Sequence, residues 1–481
     1  MRDAQLSVYQ SSVQRRDNST FFMAKTPNGS MLAVSGPDSG LFEGESVTLA
    51  DGVYKLCPLT VENAKALRQL FDFTNPKSHR GHAVTIGLGD RLGLASAGHL
   101  RLIRDLDVFP VLAQQSMREL NLTGRSYEDV LAAAVWAVFR EGYIKGYGAD
   151  GDHLKTHGEV EYALGCGYTM ITLDCSEQIR NDLALASEDE IDARYADLPS
   201  AEISALEAEY LNQRFQIDRD VSIEFKEIDL RRAALVYLPA IRHAARIYDA
   251  LIRGTETDFE VSIDETLSTT SPQSHFFVAN ELIKLGVEVA SIAPRFVGEF
   301  QKGIDYIGDL AAFERDFSVH AKIARKFGYK ISVHSGSDKF SVFPIVSRAT
   351  GGKYHLKTAG TNWLEAVRVI ATYDPALYRE IHAFALENLA EAKKYYHITE
   401  HVENISPLDS VSDAELPAYL DQNDARQVLH VTYGLILQAR APDNAPLFHD
   451  RIYQFLAQYE DEYFAALEKH IGRHLAALGI V

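Results

Sequence analysis

The chain has 481 residues, of which 46% are hydrophobic, so it is long enough for one large domain with additions or for two or three ordinary domains. Its 48 Lys and Arg residues against 67 Asp and Glu residues give a formal net charge of −19, which argues against nucleic acid or an anionic membrane as a natural partner. Cys57, Cys166 and Cys175 are too few and too scattered for a disulfide framework or a structural zinc site.

The N-terminus lacks the apolar segment of a signal peptide. The longest apolar run, residues 130–139, has half of the ~20 residues that a membrane span needs. Together with the few cysteines, this pattern predicts a cytoplasmic protein, and it leaves open whether the chain forms a homo-oligomer.

Hydrophobic periodicity divides the chain into three parts. Residues 1–78 hold short apolar runs between turn residues, followed from Thr60 by a helical pattern, which predicts a small β-rich element and a first helix. Residues 79–363 alternate strand-like and helical patterns in eight β/α units. Because their strands are buried runs without polar alternation, they predict an α/β domain that is a (β/α)₈ TIM-barrel-like fold. The predicted strands are 82–87, 108–113, 146–150, 168–174, 259–265, 287–293, 329–334 and 354–358.

Two further segments lie outside this regular alternation. Residues from about 177 to 258 are too many for one barrel helix, so we expect a helical insertion after the fourth strand. Residues 364–481 predict a helical C-terminal extension, with prolines that mark breaks between its helices.

The stretch from Tyr329 to Phe340 ends a buried strand in a dense group of polar residues: His334, Ser335, Ser337, Asp338 and Lys339. A buried polar group costs free energy unless it has a hydrogen-bonding partner. A cluster of five polar residues at one strand end therefore indicates a functional site. A polar loop in which His334 is simply hydrogen-bonded is the alternative. In a barrel, reactive groups gather at the carboxyl ends of the strands.

Other predicted strand ends carry polar residues as well. Asp90 and Arg91 follow the first strand within a GxGxxxG pattern, which misses the dinucleotide fingerprint by one residue, so we expect no NAD. The third is followed by Asp150, Asp152, His153 and Lys155, for which a solvated turn is the alternative. Asp174 ends the fourth strand, where the alternative role is that of a helix N-cap. Lys357 lies at the end of the eighth strand, where the alternative is a lysine whose stem is buried and whose ammonium reaches solvent.

A candidate metal set combines the fifth and seventh strands. Glu265 follows the fifth strand, and Ser271 and Pro272 predict a helix start that would place His275 near the same rim. With His334, these residues form a His, Glu, His set suited to Zn²⁺, Mn²⁺, Co²⁺ or Ni²⁺ with positions open for substrate. The sequence therefore predicts a divalent metal ion, with zinc as the first choice.

These motifs together resemble the tagaturonate/fructuronate epimerase family of bacterial hexuronate catabolism. The resemblance rests on residues 87–95, 152–155, 171–176, 271–282, 333–340 and 357–361. It implies a metal-dependent, TIM-barrel-like isomerase that interconverts D-tagaturonate and D-fructuronate. The expected partner is thus a small keto-sugar acid rather than a nucleic acid or a membrane.

The chemistry of this interconversion narrows the mechanism. The centre that inverts is C4 of the ketose, two bonds from the C2 carbonyl, so simple enolisation does not reach it. We expect retro-aldol cleavage of the C3–C4 bond through a metal-stabilised enediolate, followed by addition to the other aldehyde face. Transient oxidation by a nicotinamide is disfavoured by the missing fingerprint.

This route needs an acid, a base and a cation for the substrate carboxylate. The residues predicted to be catalytic are Asp174, Asp338 and Lys155. The residues predicted to contact the substrate are Asp90, Arg91, His153, Ser335, Ser337, Lys339 and Lys357. The alternatives are a metal-dependent ketose or uronate isomerase, an aldolase that releases the cleaved fragments, and a sugar-acid-binding protein without activity.

Overall fold

The computed structural model describes residues 6–26, 29–49 and 52–481. Residues 1–5, on which the expectation about the N-terminus rests in part, lie outside this range. The N-terminal strands pair antiparallel into a sheet in the order β1-β3-β4-β6-β5, with β2 paired to β3. They are β1 (Ser7–Val8), β2 (Gln14–Arg16), β3 (Ser19–Thr26), β4 (Gly29–Ser35), β5 (Glu45–Leu49) and β6 (Gly52–Cys57).

A closed barrel of eight parallel strands forms the centre of the molecule. Its strands are β7 (Val84–Leu88), β8 (Phe109–Ser116), β9 (Gly148–Leu154), β10 (Met170–Asp174), β13 (Asp258–Ile263), β14 (Ser291–Pro294), β15 (Lys330–Val333) and β16 (Tyr354–Thr358). A short hairpin of β11 (Arg214–Gln216) and β12 (Ser222–Glu224) lies between β10 and β13. Each barrel strand overlaps one predicted strand, so the predicted TIM-barrel-like fold is confirmed.

Three strand boundaries differ from the prediction by three residues or more, and one of them is the end of β9, which continues to Leu154 rather than to residue 150. β8 continues to Ser116, which brings Gln114 and Ser116 to the barrel mouth. The sixth strand begins at Ser291 rather than at 287, because the preceding helix ends with Gly286 in the left-handed region at φ 72°. Val287 N–H donates to Leu282 O at 3.0 Å, so these residues close the helix and cannot start a strand.

Helices surround the barrel and form the C-terminal part of the chain, as predicted. Thr60 caps the first one, since its side chain accepts from Asn63 N at 3.2 Å. The helices are α1 (Val61–Leu70), α2 (Ser96–Ile103), α3 (Met117–Thr123), α4 (Tyr127–Glu141), α5 (His157–Cys166), α6 (Asn181–Ala184), α7 (Glu188–Ala196), α8 (Ser200–Tyr210), α9 (Glu227–Ile247), α10 (Pro272–Lys284), α11 (Leu310–Phe327), α12 (Phe343–Thr350), α13 (Thr361–Tyr373), α14 (Pro375–Glu387), α15 (Leu389–Ala392), α16 (Asn423–Val431), α17 (Tyr433–Gln438), α18 (His449–Gln458) and α19 (Glu460–Ala477). Within the described ranges, none of them is long and apolar enough to cross a membrane.

Apolar and polar side chains occupy different parts of the barrel. Large apolar residues such as Phe259, Ile331 and Trp363 are buried in the hydrophobic core. Along β16, by contrast, His355 and Lys357 alternate with apolar neighbours and bond to polar groups of other barrel strands. The barrel therefore contains buried polar groups, which must satisfy one another there.

Candidate active site

A cavity of about 420 Å³ lies at the carboxyl ends of the barrel strands. Strand ends and the loops after them contribute part of its wall: Gln114, Asp152, Asp264, His334 and Lys357. The C-terminal part of the chain contributes the rest of that wall, with Tyr395, Tyr396, His397 and His430. The site is thus enclosed between the barrel mouth and the C-terminal extension.

Three side chains converge in this cavity as potential metal ligands. His153, Asp264 and His334 each offer one donor atom, and these atoms lie within 4.8 Å of one another. His334 Nδ1 lies 3.2 Å from Asp264 Oδ2, yet it has no hydrogen-bond partner among the described residues. When an imidazole nitrogen faces a carboxylate without a hydrogen bond between them, the two groups have the arrangement of ligands that share a cation.

The other nitrogen of each imidazole is fixed by a carboxylate. His334 Nε2 bonds Glu260 Oε1 at 2.7 Å, and His153 Nδ1 bonds Asp152 Oδ1 at 2.7 Å. Metal-binding histidines in proteins are oriented by such carboxylates, which set the tautomer and the direction of the free nitrogen. Two His nitrogens and a carboxylate oxygen are also a donor set that Zn²⁺ and related ions accept. The residues present therefore fit a divalent metal ion.

Backbone distortions direct these side chains. Two residues of β9, Asp152 and His153, lie between the paired positions Gly151 and Leu154, whereas one residue of β10 lies between their partners, so β9 carries a β-bulge there. His153 lies in this bulge with φ 54°, and Ser335, directly after His334, has φ 49°. Residues other than glycine rarely adopt this left-handed conformation, and such strain concentrates at functional sites. The bulge turns His153 toward His334, with ring centroids 4.9 Å apart.

Below this group, Lys357 is surrounded by three carboxylates. Its Nζ lies 2.9 Å from Asp150, 2.6 Å from Asp152 and 3.0 Å from Glu260. Thr172 also bonds Lys357 and shares its hydroxyl with Asp150 and Glu260. We call His153, Asp264 and His334 the metal-type group. Because Asp152 bonds His153 and Glu260 bonds His334, the buried network around Lys357 fixes the two histidines of this group.

The charges of the network shift its pKa values. Burial alone would lower the pKa of His334, but Asp264 and Glu260 raise it to about 10. Burial also disfavours the charge of Lys357, yet the surrounding carboxylates keep its pKa well above the ordinary value. Burial raises the pKa of Asp150 to about 6, against the opposing effect of Lys357. The site thus holds its charges in place through mutual pairing.

Seven of the residues predicted from the sequence line the cavity: Arg91, His153, Glu265, His334, Ser335, Ser337 and Lys357. Arg91 is buried and pairs with Glu119 at 3.0 Å, while its guanidinium stacks over Tyr433 at 3.8 Å. Glu265 is exposed to the cavity and has no ion pair among the described residues. The contacts of these seven side chains differ, but they face one chamber.

The structure places His275 outside this chamber and revises the predicted metal set. The residue lies in the first turns of α10, as expected, but it is fully buried. Its Nδ1 bonds His320 Nδ1 at 2.8 Å and its Nε2 bonds the Tyr329 hydroxyl at 2.7 Å. With both nitrogens engaged, His275 has no free lone pair for a metal, and the group of potential ligands around His334 contains His153 and Asp264 rather than His275 and Glu265.

The side chains of Asp90 and Asp174 accept hydrogen bonds from backbone N–H groups and do not line the cavity. Asp90 accepts four backbone N–H groups at the start of α2, including Gly93 N at 2.8 Å and Ala95 N at 2.6 Å. Asp174 accepts Ser176 N at 2.8 Å and lies 3.6 Å from Lys155 Nζ. Asp174 thus holds a turn, and the helix N-cap that the sequence left open is not formed, because α6 begins only at Asn181, after Arg180. Neither Asp174 nor Lys155 lines the cavity.

Asp338 and Lys339 connect the loop after β15 to other parts of the chain. Asp338 Oδ2 pairs with Arg426 at 2.7 Å, and its Oδ1 lies 2.6 Å from His470 Nε2. Lys339 donates to three backbone carbonyls, those of Gln301, Ile304 and Ser337. Neither side chain lines the cavity, so the structure does not bring Asp338 or Lys339 to the chamber in which we expected them to act on the substrate.

Several cavity residues escaped the sequence analysis. Arg118 and Glu119 follow β8, Lys302 lies in the loop after β14, and Tyr395 and Tyr396 come from the C-terminal extension. The strand-end rule could have indicated Arg118 and Glu119 if the end of β8 had been placed at Ser116. No local pattern marks the C-terminal residues, since only the tertiary fold brings them over the barrel.

Comparisons with known proteins agree over nearly the whole length. A family model described as UxaE, tagaturonate epimerase, matches residues 9–478. The chain is 42% identical over 477 residues to the tagaturonate/fructuronate epimerase of Thermotoga maritima, covering 98% of this chain and 96% of that protein. It is 52% identical to the fructuronate-tagaturonate epimerase UxaE of Cohnella laeviribosi in its native crystal structure, with a TM-score of 0.96 over 99% of this chain and 97% of that one. A glycerol complex of the same Cohnella protein gives the same values. The chain therefore belongs to the tagaturonate epimerase family and is an isomerase, as its sequence motifs predict.

Proposed function

We propose that the chain interconverts D-tagaturonate and D-fructuronate by inverting C4 of the ketose, in a metal-dependent reaction. The observation that carries this proposal is the similarity, across nearly the full length, to two proteins named as epimerases of these two compounds. The cavity supports it, because a His, Asp, His group and a free carboxylate face one chamber between the barrel and the C-terminal extension.

The proposed route is retro-aldol cleavage followed by aldol addition. A base removes the proton of the C4 hydroxyl, the C3–C4 bond breaks, and its electron pair passes to the C2 carbonyl as an enediolate of dihydroxyacetone. C4 becomes the aldehyde carbon of tartronate semialdehyde. After this aldehyde turns its other face to C3, the bond forms again and the C4 oxygen takes up a proton. The atoms and electrons balance without any oxidant.

This chain's residues supply the positions for that route. A divalent cation held by His153, Asp264 and His334 would polarise the C2 carbonyl and stabilise the negative charge of the enediolate. Glu265 is exposed to the cavity, lies next to Asp264 and has no ion pair among the described residues, so we assign it as the group that accepts the C4 hydroxyl proton. Lys357 keeps the supporting carboxylates in place.

The C-terminal extension restricts access to the cavity. Tyr395, Tyr396 and His397 line it opposite the barrel mouth. Exclusion of water protects an enediolate from protonation by solvent and strengthens electrostatic interactions in the site. The cytoplasmic location expected from the sequence is part of the proposal, and the free thiols of Cys57, Cys166 and Cys175 support it.

The first experiment is product analysis of D-fructuronate incubated with the purified protein, with and without a chelator, alongside its metal content. We expect D-tagaturonate to appear, to disappear with the chelator and to return when Zn²⁺ or Mn²⁺ is added back. No D-tagaturonate from the metal-loaded, folded protein would overturn the proposed reaction. Undiminished activity after complete removal of metal would overturn metal dependence alone.

A second experiment tests the route by isotopic labelling of the substrate. Carbon-13 at C3 should give a kinetic isotope effect, because the C3–C4 bond breaks in this route. Deuterium at C4 should give only a small isotope effect, because the C4–H bond stays intact. A large primary effect would instead indicate hydride removal from C4 and would contradict the retro-aldol route.

A further inference from the structure

Three cations that line the cavity have no carboxylate within 4.0 Å among the described residues. They are Arg118, Arg295 and Lys302. Several cations that the sequence suggested for the substrate carboxylate are already paired: Arg91 bonds Glu119, and Lys357 bonds Asp150, Asp152 and Glu260. Arg118, Arg295 and Lys302 are therefore left available for an anion, and of these three Arg118 and Lys302 act on each other, since Arg118 lowers the pKa of Lys302.

The backbone around Lys302 is held from both sides. Gln301 O accepts from Lys339 Nζ at 2.7 Å, and Gly303 O accepts from Arg426 Nε at 2.8 Å. The Gln301 side chain also accepts from Gln427 Nε2 at 2.9 Å. These bonds connect the loop after β14 to the loop after β15 and to the C-terminal extension. Lys302 is thus presented by a fixed backbone, although its own ammonium has no counter-ion.

The Lys302 ammonium is directed toward the metal-type group. Lys302 Nζ donates to Ser335 Oγ at 3.0 Å, and Ser335 directly follows His334. A substrate whose C2 and C3 oxygens face His334 would place its remaining carbons along the same wall. The lysine is therefore within reach of the far end of a six-carbon sugar acid.

Arg118 is positioned by the C-terminal extension. Its Nη1 donates to Tyr395 O at 3.2 Å, and its guanidinium lies 4.7 Å above the Tyr396 ring. This stacking leaves other guanidinium N–H groups free to form a two-pronged contact with a carboxylate.

The local charge balance favours an anion at this place. Arg91, Arg118 and Lys302 bring three positive charges together, and Glu119 is paired with Arg91 at 3.0 Å. Burial lowers the pKa of Lys302, and the nearby Arg118 lowers it further. A bound carboxylate would compensate this excess of positive charge.

We propose that Arg118 and Lys302 form the subsite for the substrate's C6 carboxylate and thereby make the enzyme prefer hexuronates to neutral ketohexoses. This inference rests on the proposed epimerase function, because it names the part of the site that distinguishes the substrate class. The two side chains bind and orient the substrate, while Glu265 and the metal-type group face its reacting carbons.

The test compares the Arg118→Met, Lys302→Met and double variants with the wild type on D-fructuronate and on neutral D-fructose. Loss of each charge-assisted hydrogen bond should lower kcat/KM for D-fructuronate about 10- to 100-fold, mainly through KM, and should lower kcat/KM for D-fructose much less, because D-fructose has no carboxylate. Lys302→Arg should restore part of the loss. Lys145→Met, which removes an exposed charge ahead of β9 at the opposite end of the barrel, should change neither rate.

A binding measurement separates this inference from the proposed function. Glycerate carries the carboxylate of the C4–C6 fragment, whereas glycerol lacks it. In chelator-treated protein, glycerate should bind the wild type more tightly than glycerol does, and the double variant should lose this preference.

Failure of the proposed reaction and failure of the proposed subsite give different results in these two experiments. A wild type that converts no D-fructuronate but still prefers glycerate at Arg118 and Lys302 would overturn the proposed reaction and leave the subsite standing. An active wild type whose variants keep the same ratio of D-fructuronate to D-fructose turnover, or the same preference for glycerate, would overturn the subsite.

Discussion

Replacement of Lys357 by Met removes the one ammonium that compensates three buried carboxylates. The Met side chain nearly preserves the volume, so the main change is the loss of contacts of 2.6 Å to Asp152, 2.9 Å to Asp150 and 3.0 Å to Glu260. Removing one partner of a buried ion pair costs about 3–5 kcal/mol, because the other charge stays buried without compensation. With three carboxylates affected, we expect a loss of unfolding free energy at the upper end of that range.

The loss of unfolding free energy in Lys357→Met should become smaller as the pH falls. Asp150 already has a pKa of about 6 in the folded wild type. Without Lys357 this folded pKa rises further above the unfolded value of about 3.9, so between the two values the folded variant binds more protons than its unfolded chain. The stability gap between variant and wild type should therefore narrow as the pH falls from 8 toward 5.

Urea unfolding of chelator-treated protein, followed by the fluorescence of the buried Trp136 and Trp363, measures this gap. Lys353→Met is the matched control, because Lys353 is exposed and donates only to the carbonyl of Gly328. That control should change stability by less than about 0.5 kcal/mol. A loss below about 1 kcal/mol for Lys357→Met, or an equal loss at pH 8 and pH 5, would refute the view that its charge holds the carboxylates.

Two further pairs of variants test the assignments of the site. Glu265→Gln should lower kcat at least ~100-fold with unchanged metal content. Asp174→Asn should lower kcat less, because it keeps an oxygen for the Ser176 N–H and loses only the charge 3.6 Å from Lys155 Nζ, outside the cavity. The opposite order in steady-state kinetics would return the base role to Asp174. His334→Asn should abolish bound metal, measured by elemental analysis, and activity with it. His275→Asn should retain metal and lose stability, since it breaks only buried bonds in the packing around α10, and loss of metal there would contradict the revised ligand set.

The C-terminal extension takes part in building the site. Asp338, on the loop that follows β15, pairs with Arg426 of α16 and lies 2.6 Å from His470 of α19. Tyr396 of the same extension supports Arg118 from above. Substitutions in these helices should therefore affect substrate affinity even though they lie far from the barrel in sequence.

The eight barrel strands could be predicted from sequence, because most of them appear as short, largely apolar runs between helical patterns, although β9 is rich in Gly and Asp. Residues 329–334, for example, contain β15 within two residues of its boundaries. The strand-end rule also indicated His153, His334 and Lys357 as residues of the site. It worked because the carboxyl ends of parallel barrel strands meet at one mouth whatever the loops between them do.

Which strand ends face one another was decided by the tertiary structure alone. The bulge in β9 turns His153 toward His334, while α10 carries His275 into its packing against His320 and Tyr329. Local sequence records that a residue is polar and near a strand end, but it does not record which of its neighbours already occupies its hydrogen bonds. For the same reason the available cations of the site, Arg118, Arg295 and Lys302, emerge only once the fold shows which other charges are already paired.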